Sequence, residues 1–261
     1  MSDSHFGTER PAVLAALHQL VRDSGPALVV LSGDLTQRAR PAQFAAARAF
    51  VESLQTPFLA IPGNHDIPLF AVGTRLLAPY ARYCTAFGAQ LEPEWTSGEW
   101  LVLGVNTTRR WRHKQGEVSV MQIERVVARL RAALPGQLRV VVVHQPMAVI
   151  REKDQRNLLR GHAQAARAWA AAGAQLVLGG HIHLPYVRPL PALAGPPLWV
   201  VQAGTAVSHR LRGDTSNSVN LILHGASIDT CTVERWDYDD THRAFARRDS
   251  QTLALRGRSA D

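Results

Sequence analysis

This chain has almost no cysteine and almost no lysine. Cys84 and Cys231 are its only thiols in 261 residues. Their spacing matches no metal-binding or disulfide framework, so two reduced, buried thiols are expected. Lys114 and Lys153 are the only lysines among 29 basic side chains, so arginine carries nearly all of the formal charge of +8. A GC-rich genome accounts for such a skew more simply than a binding surface does. No apolar run approaches the roughly 20 residues needed to cross a bilayer, and no leader peptide opens the sequence. Membrane insertion is therefore not expected, and the cytoplasm is the default location. No basic–aromatic recognition motif is present, so nucleic acid is not the favoured partner. A positive field still raises the local concentration of small anionic substrates. Fixed-period repeats and low-complexity linkers are also missing, and a single domain over residues 1–261 is expected.

What is present is an alternation of short apolar runs and amphipathic stretches, the pattern of a layered α/β protein. Helices are expected over Pro11–Val21 and Pro41–Leu54, each opened by a proline suited to a first turn. Further helices are expected over Val118–Leu134 and over Asn157–Ala172, the last stopping at Gly173. Strands are expected at Ala27–Leu31, Phe58–Ile61, Trp100–Val105, Arg139–Val143 and Gln175–Leu178. Residues 67–98 carry no clear pattern. After His183 the helical periodicity disappears, and strands near Trp199–Gln202, Val219–Leu223 and Ser227–Arg235 predict a second sheet packed on the first. The basic tail, Arg243–Asp261, is expected to be an edge strand or a disordered end.

Five polar blocks punctuate this pattern: Asp3-Ser4-His5, Gly33-Asp34, Gly63-Asn64-His65-Asp66, His144-Gln145-Pro146 and Gly180-His181-Ile182-His183. Asp34, Asn64, His144 and His181 each sit just past an apolar run. Ligands of open α/β sheets bind beyond the carboxyl ends of strands, so four such ends bring these residues together. Asp3 and His5 are two apart, as are His181 and His183. In an extended segment such pairs share a face. Carboxylates, imidazoles and one carboxamide, with no thiolate, suit a pair of divalent metals, manganese, iron or zinc. Any one block alone is weak evidence, since Gly-Asp is usually a turn and a histidine after valines is usually structural. The five together, in order, point to chemistry at phosphorus.

The ordered blocks resemble those of the calcineurin-like metallophosphoesterase superfamily over Asp3 to about Leu223. The resemblance implies a four-layer α-β-β-α sandwich of two mixed sheets with helices on the outer faces. It implies two divalent or mixed-valence metal ions: Asp3, His5 and His183 on one, Asn64, His144 and His181 on the other, and Asp34 bridging both. His65 would be the non-ligand catalytic acid and Asp66 its orienting partner. A water shared by metals about 3.5–4 Å apart would be acidified into the nucleophile for in-line attack on a small anionic phosphoester. The compact length and G-N-H-D block resemble the bacterial cyclic-nucleotide phosphodiesterase branch. A nuclease or a phosphomonoesterase on the same site is the alternative, and a non-catalytic scaffold is disfavoured because no ligand is missing. A homodimer is compatible with the family. Members of the family place a full apolar strand before D-x-H, whereas only Met1 and Ser2 precede Asp3 here, so either the start codon lies further upstream or the first strand is truncated.

Two further segments follow predicted strand ends. Asn106–Lys114 offers Arg109, Arg110, Arg112 and His113, and Ala203–Gly213 offers His209, Arg210 and Arg212. The first is more simply a solvated basic loop; His209 is the candidate of the second.

Overall fold

The computed structural model describes residues 1–190, 197–225 and 229–255. Its first helix, α1 (Pro11–Ser24), starts with proline and ends where Gly25 takes a left-handed conformation, φ 51°. Val13, Leu17, Leu20 and Val21 fall on one buried face. Each such side chain contributes about 1.5–3 kcal/mol by leaving water. Strand β1 (Val29–Leu31), helix α2 (Pro41–Ser53) and strand β2 (Phe58–Ala60) complete a parallel β-α-β unit in which Val30 pairs with Leu59.

Residues 67–98 resolve into helix α3 (Val72–Leu77), helix α4 (Ala81–Phe87) and strand β3 (Glu94–Thr96). Both helices are too short to show a readable period. Strand β4 (Trp100–Gly104) leads to α5 (Val120–Arg131), whose first turn is closed by a capping box. Ser119 Oγ accepts from the Gln122 amide at 3.2 Å, and Gln122 Oε1 accepts from the Ser119 amide at 3.0 Å. Strand β5 (Leu138–Val142) follows. Helix α6 (His162–Ala171) starts later than the sequence pattern predicts. Of the residues before it, Asn157 ends a 3-10 turn, Arg160 pairs with Glu117, and Gly161, φ 85°, breaks the chain before the helix.

Strands β6 (Leu176–Gly179), β7 (Tyr186–Pro189) and β8 (Trp199–Gln202) join β3, β4 and β5 in a six-stranded mixed sheet of order β3-β4-β5-β6-β8-β7. The strand at Trp199 therefore belongs to the first sheet, not the second, because its register with β6 is parallel and continuous. Strands β9 (Ser218–Leu223), β10 (Thr230–Asp239) and β11 (Ala244–Ala254) form an antiparallel sheet. The tail thus contributes an edge strand as far as Ala254; residues 256–261, and residues 227 and 228 of the strand expected there, lie outside the described residues.

Three apolar clusters define four layers. One lies between α1, α2, α4 and the sheet pieces β1-β2 and β9–β11, and includes Leu17, Phe44, Leu31, Val219 and Tyr238. A second packs α5 and α6, through Val126, Leu130 and Trp169, on Val141 and Val177. Between the sheets, Leu59, Val102, Val140, Leu176, Val233 and Leu253 interlock. The chain is a four-layer α/β sandwich. The second sheet comes in two pieces, parallel β1-β2 and antiparallel β9–β11, with Met1–Phe6 lying between them. Ser32 N–H donates to the Met1 carbonyl, Asp3 N–H to Gly33, and Ala206 N–H to Ser2. The Met1 amine donates to the Val30 carbonyl at 2.9 Å, and burial pushes it down to about 6. A cavity of about 380 Å³ opens beside it, bounded by Leu28, Val30, Trp100, Val201 and Leu221. Cys231 is buried as expected; Cys84 is only half-buried, and both thiols are free. No described helix is long and apolar enough to cross a membrane.

Candidate metal centre

All the predicted ligands converge at the carboxyl ends of β1, β2, β5 and β6, where the strands stop and their loops face one another. Asp3, His5 and His183 form one group, and Asp34, His144 and His181 another, each with ligand atoms within 4.8 Å of one another. In the first, His183 Nε2 lies 3.3 Å from both Asp3 Oδ1 and His5 Nε2. In the second, His144 Nε2 lies 3.3 Å from Asp34 Oδ1 and 3.1 Å from Asn64 Oδ1. Asp34 reaches both groups, since its other oxygen, Oδ2, is 3.8 Å from His5 Nε2.

The backbone achieves this by a route the spacing argument misses. Asp3, His5, Asp34, His181 and His183 all have positive φ, between 45° and 72°, rather than the extended geometry expected of alternating pairs. A non-glycine residue in the left-handed region costs about 1–3 kcal/mol. Fixed hydrogen bonds hold these turns: His5 N–H to the Asp34 carbonyl at 3.0 Å, and His181 N–H to Asp3 Oδ2 at 2.9 Å. Gly63 is required for a different reason. A Cβ there would stand 2.0 Å from the Asp34 amide nitrogen and 2.2 Å from Asp34 Oδ1.

Second contacts fix the rings. Nδ1–H of His144 donates to the Ser32 carbonyl at 2.8 Å, that of His5 to Thr36 at 3.4 Å, and that of His183 to Arg210. Each leaves Nε2 aimed into the cluster as the ligand nitrogen. Two buried atoms of the cage, Asp3 Oδ1 and His181 Nδ1, have no hydrogen-bond partner. Buried polar atoms are ordinarily satisfied, so orphaned acceptors on two facing ligands mark a place for cations. Burial and the neighbouring His144 hold His181 down to about 3, so its ring is neutral and free to ligate. Burial opposes charge on His144, but Asp34 and Asp3 raise it to about 9. The residues fit two metals with an oxygen–nitrogen donor set.

His65 also stands at the cluster. Its ring meets His5 edge-on at 4.8 Å between centroids, and its ligand nitrogen is within reach of both His5 and Asp34. Its amide donates to Asp34 Oδ1 at 2.8 Å. The expected pairing with Asp66 is corrected by the structure. Asp66 makes no hydrogen bond to the His65 ring. Its two oxygens accept from the amides of Gly63, Leu35 and Thr36, at 2.8 to 3.0 Å, and from the Thr36 hydroxyl at 2.9 Å. In the 3-10 turn over Asn64–Asp66, consecutive side chains diverge, so Asp66 braces the loop that carries Asp34. Burial and Asp34 push the Asp66 carboxyl up to about 7, against the pull of those amides. The partner of His65 is the Gln37 carbonyl, which accepts from Nδ1–H.

Of the basic loop, Arg109, Arg110 and Arg112 are held by protein acceptors: the Asn106 carbonyl, the Leu76 carbonyl and Glu117. Only His113 feels the centre. Burial, then His65, holds it below its usual value, while Asp34 opposes. In the later segment the expected residue is the wrong one. His209 is exposed, whereas Arg210 places a guanidinium nitrogen 3.2 Å from His65 Nε2. Gln37 is the site residue that motif reading missed, and Arg210, named with its segment, takes the place expected of His209. Gln37 lies in no recognisable block.

A probable cyclic nucleotide phosphodiesterase of Synechococcus sp. is 28% identical over 200 residues, covering 72% of this chain and 71% of that protein. A dimetal phosphatase from Danio rerio superposes with a TM-score of 0.69 at 13% identity, covering 98% and 97% of the two chains. A purple acid phosphatase from yellow lupin gives 0.69 at 15% identity, covering 97% of this chain and 52% of that one. These structural likenesses concern the fold. The calcineurin-like phosphoesterase family model matches residues 1–185, a span holding every residue of the two clusters, and the chain belongs to that family.

Proposed function

We propose that this chain is a two-metal phosphodiesterase. Asp3, His5 and His183 hold one ion, Asn64, His144 and His181 hold the other, and Asp34 is shared. The observation that carries the reading is the Asp34 carboxylate, which turns one oxygen toward each histidine cluster. Manganese, iron or zinc suits the donors. Bound metals would supply Lewis-acid neutralisation of phosphoryl charge and an acidified water. Asn64 contributes a neutral oxygen, which keeps the site from repelling an anionic substrate. His65 protonates the departing alkoxide from Nε2, while its Nδ1–H stays on Gln37. To do so the ring works as an imidazolium. Asp66 keeps the Asp34 loop in place and takes no part in proton transfer. The name of the Synechococcus relative favours a cyclic nucleotide as substrate.

The test is an activity panel on protein reconstituted with manganese, iron or zinc, with metal content measured in parallel. Bis(p-nitrophenyl) phosphate and a cyclic nucleotide should be hydrolysed faster than p-nitrophenyl phosphate or single-stranded DNA. Preference for the monoester assigns a phosphomonoesterase, and preference for DNA with a steep salt dependence assigns a nuclease. No hydrolysis by a fully metallated chain would leave a scaffold.

A further inference from the structure

The cations around the centre differ in what they have already bound. Arg212 grips both oxygens of Asp154, at 2.7 and 2.9 Å. Arg112 pairs with Glu117, and Arg109 gives its N–H groups to carbonyls and to Gln122. Arg210 stands apart. It is half-buried, and no carboxylate pairs with it among the described residues. One of its terminal nitrogens donates to Gln37 Oε1 at 3.1 Å and faces His65 Nε2 at 3.2 Å. Nε and the second terminal nitrogen meet no protein acceptor among the described residues. A guanidinium with no carboxylate partner has donors to spare beside the His65 ring.

The main chain of the same residue is fixed. Its carbonyl accepts from His183 Nδ1–H and from the Thr205 hydroxyl, and its amide donates to Ser208 Oγ at 3.1 Å. The side chain is therefore aimed by a backbone that also orients a proposed metal ligand. Gln37 ties the arrangement together, its carbonyl on His65 and its side-chain oxygen on Arg210.

We propose that Arg210 anchors the substrate, its free N–H fork binding a phosphoryl oxygen on the His65 side of the centre. This rests on the phosphoesterase reading given above. A planar guanidinium matches phosphate oxygens with two parallel hydrogen bonds, which a lysine ammonium cannot reproduce. Gln37 is the positioning residue that keeps the fork pointed inward.

The experiment titrates inorganic phosphate, by calorimetry, into metal-loaded wild type, Arg210→Ala, Arg210→Gln and Arg210→Lys. Metal content is measured on each, and KM and kcat are determined for the best diester. Charged hydrogen bonds of this kind are worth roughly tenfold to a hundredfold in affinity. Arg210→Ala and Arg210→Gln should weaken phosphate binding and raise KM by that order, with metal content unchanged and Arg210→Lys intermediate. Added guanidinium should restore part of the loss in Arg210→Ala. Phosphate affinity and KM within twofold of wild type would overturn the assignment. Loss of metal in Arg210→Gln as well as Arg210→Ala would also overturn it, since the residue would then only brace His183. The calorimetric arm needs no turnover. If wild type hydrolyses no ester yet Arg210→Ala binds phosphate more weakly, the phosphoesterase reading fails while the anion site stands.

Discussion

Nδ1–H of His65 donates to the main-chain oxygen of Gln37 at 2.9 Å, and this single contact decides which nitrogen of the ring faces the reaction. A carbonyl accepts only, so Nδ1 keeps its proton and Nε2 is the nitrogen available to the leaving group. His65→Ala is expected to lower kcat on esters with poor leaving groups by about 10²–10⁴-fold. Nitrophenyl esters, whose leaving group needs no proton, should suffer much less. Metal content by elemental analysis should stay at the wild-type level. Loss of an ion would make His65 a ligand instead, a role its distance to His5 and Asp34 allows.

Asp66→Ala should behave as a stability mutant. Removing the carboxylate strands three amides and a hydroxyl in a buried loop. Even partial failure to satisfy them costs at least about 2 kcal/mol, read as a lower urea midpoint of the metal-free protein. The leaving-group dependence of the surviving activity should match wild type. A change in that dependence would return Asp66 to the proton-transfer machinery.

The metal-free chain should lose stability as pH rises from about 6.5 to 9. Burial disfavours a charged His144, but Asp34 at 3.3 Å, with help from Asp3 and the Ser32 carbonyl, raises the ring to about 9. A histidine raised on folding stabilises fully below its unfolded value, and that gain disappears as pH climbs through the folded one. Metal affinity should move the opposite way, because an ion must displace this proton. Melting curves of chelator-treated protein and competition titrations with manganese, both from pH 6.5 to 9.5, measure the two trends. A flat affinity would mean that His144 is already neutral before the ion binds.

Gly63→Ala is expected to abolish activity with little change in fold. Gly63 has an ordinary negative φ, −99°, so the cost is not conformational. The added methyl would strike the Asp34 amide and carboxylate and displace the residue shared by both clusters. Elemental analysis should show both ions depleted together. Full metal content in Gly63→Ala would show that the loop yields and that Asp34 is not confined.

The layered α/β class and the positions of α1, α2, β4 and β8 were legible because each carries its own period and its own punctuation. Pro11 and Pro41 opened helices, while the end of the first, at Gly25 rather than Val21, was not read. Short α3, α4 and β3 were not legible, having too few residues to repeat anything. The start of α6 was misplaced because Leu158 and Leu159 extend its apolar spacing, although Arg160 pairs with Glu117 and Gly161 turns left-handed before the helix. The ligand residues were legible as blocks, but their geometry was not, since Asp3 and His5 share a site through left-handed turns rather than an extended strand. Asp66 and Gln37 exchanged parts for a related reason. Sequence adjacency put Asp66 next to His65, while the fold brought in a carbonyl 28 residues away, and carbonyls leave no mark on a sequence.

The five left-handed ligands make the centre expensive to keep. Glycine would occupy those backbone positions without penalty, so a lineage relieved of its chemistry would gain stability by drifting toward it at positions 3, 5, 34, 181 and 183. At each of these positions the backbone favours glycine, while the proposed metal chemistry needs aspartate or histidine.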